Sequence, residues 1–167
     1  MIEEGRPAKS VAKVAAITVP LILGVGFLMG QLSNSGYGND WFDALVKPAA
    51  MPPGWAFGAA WTILYVLLGV SLAIVWSAPP SSARSTSLLI FFIQLLLNFS
   101  WSPLFFGAHQ IDVALAVIVT ILALSIAATQ TFTRVRKIAA VLMLPYLAWL
   151  AFATYLNFEI LTLNRGV

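Results

Sequence analysis

The sequence predicts an all-α protein, a single bundle of five membrane-spanning helices. Three observations carry that prediction. The 167 residues are 60% hydrophobic and 9% charged, with mean hydropathy +0.93, whereas soluble domains are about 45–50% apolar and about 25% charged. Five stretches reach the length of roughly 20 apolar residues that a helix needs to cross the hydrocarbon layer. Three of the four breaks between them are short, so neighbouring helices should run antiparallel and pack as one domain. Cysteine is absent, which excludes disulfide and thiolate chemistry.

The spans run from Val11 to Leu32, Ala56 to Ser77, Ser87 to Phe106, Val113 to Thr133 and Ile138 to Leu161. The first has too long an apolar run for a cleaved leader and no convincing small-residue cleavage site, so it reads as a span. The break that follows, residues 33–55, is long and rich in Gly, Asn, Asp and Pro. The second break, APPSSARST, is a proline turn with small polar residues; the third is GAHQID and the fourth RVRK. Glu159, in the last turn of the fifth span, is the one carboxylate inside a span.

The net charge of +3 rests on too few positive residues for nucleic-acid binding, and they are sorted by loop. Arg6, Lys9, Lys13, Arg84, Arg134, Arg136 and Lys137 fall on one side of a five-span topology, and Lys47 and Arg165 on the other. In a bacterial inner membrane that asymmetry predicts a cytoplasmic N-terminus. An outer membrane, where the rule need not apply, is the alternative.

The stretch KPAAMPPGWAFGAAWTILY, residues 47–65, asks for more than an anchor. Its prolines suit a stiff lid over the bundle. Phe57, Trp61, Tyr65, Gly69, Leu72 and Trp76 then recur at spacings of three and four, on one helical face. Trp55 and Trp76 sit near the ends of the span, where aromatic belts anchor helices. Trp61 and Tyr65 lie deeper, and a buried indole N–H needs a partner, which points them into the bundle.

In the third span Gln94, Asn98, Trp101 and Phe105 form a second stripe. Amides in a span must be satisfied, so this stripe faces protein or a cavity; helix-to-helix glue is the competing reading for Gln94 and Asn98. Pro103 frees a carbonyl one turn earlier and should bend the helix. In the fifth span Pro145 kinks the start, and Trp149, Ala153 and Leu156 share a face with Asn157 beside them. Ala153 marks either room for a ligand or a close helix contact.

The first and fourth spans read as structural. Gly26 and Gly30 have the GxxxG spacing of close helix crossing, which is also a candidate dimer face. His109, beside Asp112, reads as a surface or capping residue. No Ser–His–acid set, paired carboxylates, metal-ligand cluster or phosphate-cradling loop appears, so no catalytic residue and no metal ligand is assigned.

The motifs KPxxxPPGWxFxxxWTxLY, QLxLNxxWSPLFFGxH and PYLAWLAFATxLNFE, in this order, resemble the TspO family of tryptophan-rich sensory proteins and mitochondrial translocator proteins. The resemblance covers the chain from the first loop to Asn164. It implies a five-helix bundle, a homodimer, and binding of porphyrins such as protoporphyrin IX and haem, with sterols and drug-like molecules in some members. These enter as ligands; no resident cofactor is implied. The family pocket opens toward the long first loop. Its residues match Trp61, Asn98, Trp101, Trp149, Ala153 and Leu156, and Phe42 stands in the lid at a position that is commonly Tyr.

Three departures from the family pattern bear on function. Ala49 and Ala50 stand where a lid Trp is frequent. Phe42 lacks the phenol that in some bacterial members is tied to light-driven porphyrin breakdown. Phe158 and Glu159 interrupt the sterol-recognition pattern, which needs a central Tyr and a nearby basic residue. Three functions therefore stand: a tetrapyrrole receptor or carrier that regulates porphyrin level or stress response, a light-dependent porphyrin-degrading enzyme, and a ligand-responsive partner of other membrane proteins. The expected ligand site is Phe42, Phe57, Trp61, Tyr65, Asn98, Trp101, Phe105, Trp149, Ala153 and Leu156.

Overall fold

The computed structural model describes residues 10–165, and every regular element among them is helical. The spans are α1 (Val11–Leu32), α3 (Gly54–Trp76), α4 (Ser82–Ser102), α5 (Ile111–Val135) and α6 (Lys137–Leu163). A π-helical turn, Pro103–Gly107, extends α4, and a short helix α2 (Asp40–Ala44) lies within the first loop. All five long helices are apolar and long enough to cross a membrane. Arg6 and Lys9 of the charge count lie outside the described residues.

α1 has the expected bounds, while α3, α4, α5 and α6 each begin before the apolar segment that predicts them, and at α4 a polar cap sets the start. Ser81 accepts from the Arg84 amide and starts α4 at Ser82, several residues before the apolar run. The Arg84 guanidinium donates back to the Val75 and Trp76 carbonyls and closes the end of α3. The fourth break shrinks to Arg136, whose extended backbone separates α5 from α6.

At Pro103 the helix widens into a π-helical turn. The Ala108 amide bonds to the Pro103 carbonyl at 2.8 Å and Gln110 to Leu104 at 3.0 Å, so the chain leaves the α register just after the proline. Phe105 and Phe106 are thereby turned into a buried aromatic cluster with Phe42.

Glycines set the approach of α1. A Cβ at Gly69 would lie 2.7 Å from the Val19 Cα, and the Gly69 carbonyl accepts from Thr18 Oγ1 at 2.8 Å. Gly26 presses on the Tyr65 ring, so half of the GxxxG pair is occupied within the chain, whereas a Cβ at Gly30 would meet nothing within 4 Å. Outside this seam α1 is open: Ile22 is its one buried residue.

Gly69→Ala should destabilise the protein by about 1–3 kcal/mol, because overpacking against backbone outweighs the gain in helix propensity. Gly30→Ala, which meets no atom, should be neutral or stabilising by up to about 1 kcal/mol. Unfolding titrations of both variants in detergent check the pair; equal effects would contradict the close approach at Gly69.

Candidate functional site

The long loop is a built roof. Asn39 caps α2 by accepting from the Phe42 amide at 3.1 Å. Lys47 Nζ donates to the carbonyls of Phe42, Asp43 and Leu45, spending all three of its donors on the end of the same helix. The Asn164 side chain grips Val46 in both directions, accepting from its amide at 2.9 Å and donating to its carbonyl at 3.0 Å. That pair fastens the loop to the end of α6. The Trp41 ring stacks on His109, 4.2 Å between centroids, and Tyr37 donates to the Pro52 carbonyl. His109 is thus a contact of the roof, held at a positive φ of 58°.

Beneath the roof lies a cavity of about 410 Å³. Its walls come from the loop-proximal halves of α1, α3, α4 and α6, with Ile118 and Ile121 of α5. Phe42 is 3% exposed and hangs from the roof, edge-on to Phe105 and Phe106. Phe57, Trp61 and Tyr65 descend one wall on α3. The Trp61 ring lies 5.1 Å from Tyr65 and 6.5 Å from Trp149. Trp101 stacks on Phe105 at 4.9 Å on the α4 side, and Ala153 and Leu156 complete the α6 side. All ten residues expected at the site border this one space.

Polar side chains line the cavity at its floor, on the Trp101 wall, and near the roof, where Gln31, Asn34, Ser35 and Tyr37 border it. Tyr65 donates to Asn98 Oδ1 at 3.2 Å, and Asn98 Nδ2 donates to the Tyr146 hydroxyl at 3.0 Å. Tyr146 donates in turn to Gln94 Oε1 at 2.9 Å, which also accepts from Ser125 at 3.1 Å. Gln94 therefore joins α4 to α5 and α6 away from the cavity, as glue, while Asn98 both joins helices and faces the cavity. On the wall, Trp101 Nε1 donates to Asn157, which donates to the Ile111 carbonyl. Trp149 Nε1 is buried without a partner.

Several wall residues were not legible as such. Gly26, Phe27, Gly30 and Gln31 bring α1, read as structural, into the wall, and Ile118 and Ile121 do the same for α5. One signal was present: GFLMG and GWAFG repeat the same glycine spacing on facing helices, and all four glycines border the cavity. Tyr146 was also missed, although a phenol three residues before Trp149 shares its face and needs a partner. At the ends of α3, Trp55 is 77% exposed and Trp76 half-buried. Among the described residues no three His, Asp or Glu side chains gather as a metal site would require.

The TspO/MBR family model matches residues 16–163. The tryptophan-rich protein TspO of Archaeoglobus fulgidus is 40% identical over 161 residues, covering 93% of this chain and 97% of that protein. Its namesake from Chlorobaculum tepidum is 37% identical over 89% of this chain and 94% of its own length. The human translocator protein is 35% identical, with 92% of each chain covered.

Tyr146→Phe removes a hydroxyl that serves two buried amides and should cost about 1–3 kcal/mol. Tyr65→Phe removes one terminal bond and should cost about 0.6 kcal/mol, the average for such bonds between spans. Unfolding free energies in mixed detergent check this order. A larger loss at Tyr65 than at Tyr146 would contradict the chain of bonds described.

Proposed function

The chain belongs to the TspO/MBR family, and from that premise we propose that it is a membrane receptor or carrier for tetrapyrroles such as protoporphyrin IX and haem. Family membership and five apolar helices make it a multi-pass membrane protein with a receptor-like role. The single observation that supports the tetrapyrrole reading is the cavity's lining. Rings from the roof, α3, α4 and α6 border one space of about 410 Å³, within the range of roughly 300–1,000 Å³ of small-molecule pockets.

The chemistry suits a flat, apolar, polarisable ligand. Offset-stacked and edge-on aromatic contacts hold a macrocycle by area and quadrupole rather than by charge. Two glycines, Gly30 on α1 and Gly58 on α3, leave clearance at the cavity's edge, since a Cβ at either would meet no atom within 4 Å. That clearance leaves room for the edge of a wide ring. The polar floor, Tyr65 and Asn98, fixes orientation, since Tyr65 donates to Asn98 and Asn98 is held in turn by Tyr146. Phe42 contributes a ring to the roof but no phenol, so the reading is of binding and not of redox chemistry at the lid.

Titration of the reconstituted protein with protoporphyrin IX in the dark, followed by tryptophan fluorescence, tests this. Saturable quenching is expected, weakened about tenfold or more by Trp101→Ala and by Trp149→Ala, each of which removes an aromatic face worth about 1–3 kcal/mol. Gly58→Leu should weaken binding to a similar degree while leaving the fold intact. Linear, unsaturable quenching that is equal in all four proteins would show that the porphyrin only partitions into lipid.

A further inference from the structure

We propose that the groove between α3 and α6 is a second, bilayer-facing site for the same flat apolar ligand, and that the Trp149 indole is the partition through which ligand passes between it and the central cavity. This rests on the tetrapyrrole reading of that cavity. The groove is shallow and open on the outer face of two spans, with Ala60, Ile63, Pro145, Ala148 and Phe152 among its walls. Its lining side chains are apolar, and Ile63 is 59% exposed. On a membrane-spanning helix such a face meets hydrocarbon, so what fills the groove is apolar and arrives from the bilayer.

Trp149 lines both spaces. The wall between cavity and groove is therefore one indole thick at this point, with Phe57 and Trp61 on the cavity side and Phe152 on the groove side. Trp101, the matching indole across the cavity, is tied to Asn157. Trp149 Nε1 has no hydrogen bond, so ring contacts alone hold its rotamer. A buried donor without a partner is costly, and a rotation that brings it to a polar group on a ligand relieves that cost.

The helix that carries the indole is weakened at the same turn. Pro145, one turn before Trp149, has no amide to give the Val141 carbonyl. The small side chains of Ala60 and Ala148 leave space on the lipid side into which the ring can swing. A shared wall, an untied indole and a proline beneath it thus coincide between one pair of helices.

A partition sets a barrier and not an end state, so altering it changes association and dissociation together and leaves Kd where it was. The test is stopped-flow transfer of protoporphyrin IX from loaded vesicles to vesicles holding the full chain. Ala60→Phe/Ala148→Phe, which fills the groove without touching the cavity, should slow both directions by roughly fivefold or more at unchanged Kd. Ile63→Ala/Phe152→Ala, which opens it and adds no bulk, should speed both. Parental rates in both variants at unchanged Kd would overturn the partition and leave the cavity reading standing. Loss of affinity carried by dissociation alone would also overturn it, marking the groove as part of the cavity wall. Absence of saturable binding by the parent protein would overturn both readings.

Discussion

In hydrocarbon no water stands ready to satisfy a buried amide or phenol, so partners must come from inside the protein; among the described residues Ser77 Oγ, Gln94 Nε2 and Trp149 Nε1 are the buried side-chain atoms left without one. The bundle is organised by how it meets that constraint. Tyr146 sits at the centre, accepting from Asn98 and donating to Gln94, and through them it reaches Tyr65 on α3 and Ser125 on α5. Four spans are thereby fastened at one depth. Above that depth the helices need not touch, and the cavity occupies the space they leave. Below it the core closes around Leu68, Phe91, Phe132 and Met143.

The same constraint explains the roof. A loop of Gly, Asn, Asp and Pro at a membrane surface would ordinarily be mobile, and here its polar groups are turned inward on each other. Lys47 holds the end of α2, Asn39 its beginning, and Asn164 returns from the last helix to grip Val46. Phe42 is the apolar underside of that structure. Roof and floor are therefore both hydrogen-bonded, and the walls between them are mostly aromatic and aliphatic. That is the division of labour expected where a ligand is held by contact area and oriented by a few polar atoms.

Much of this was legible from the residues. Apolar length gave five spans, and spacings of three and four put Trp61 with Tyr65 and Asn98 with Trp101 on inward faces. Three things were not. The start of α4 lies well before its apolar run, because the Ser81 cap is set by local hydrogen bonding to which hydropathy is blind. Pro103 signals a disturbance of the helix, but not that it takes the form of a π-helical turn carrying Phe105 and Phe106 into the roof cluster. And α1 looked like packing, since glycines carry no signal of what they leave empty; only the facing pair on α3 shows that Gly30 borders a space and not a helix.

The central claim is that the flat ligand occupies the space beneath the roof, among Trp61, Trp101 and Trp149. The six tryptophans of the chain give six indole N–H signals, and 15N-indole spectra of the protein in nanodiscs, recorded with and without protoporphyrin IX in the dark, report on each separately. The account predicts large ring-current shifts for Trp61, Trp101 and Trp149 that saturate together, with Trp55 and Trp76 unmoved. Shifts confined to Trp55 and Trp76, at the ends of α3, would place the porphyrin on the lipid-facing surface and contradict the account.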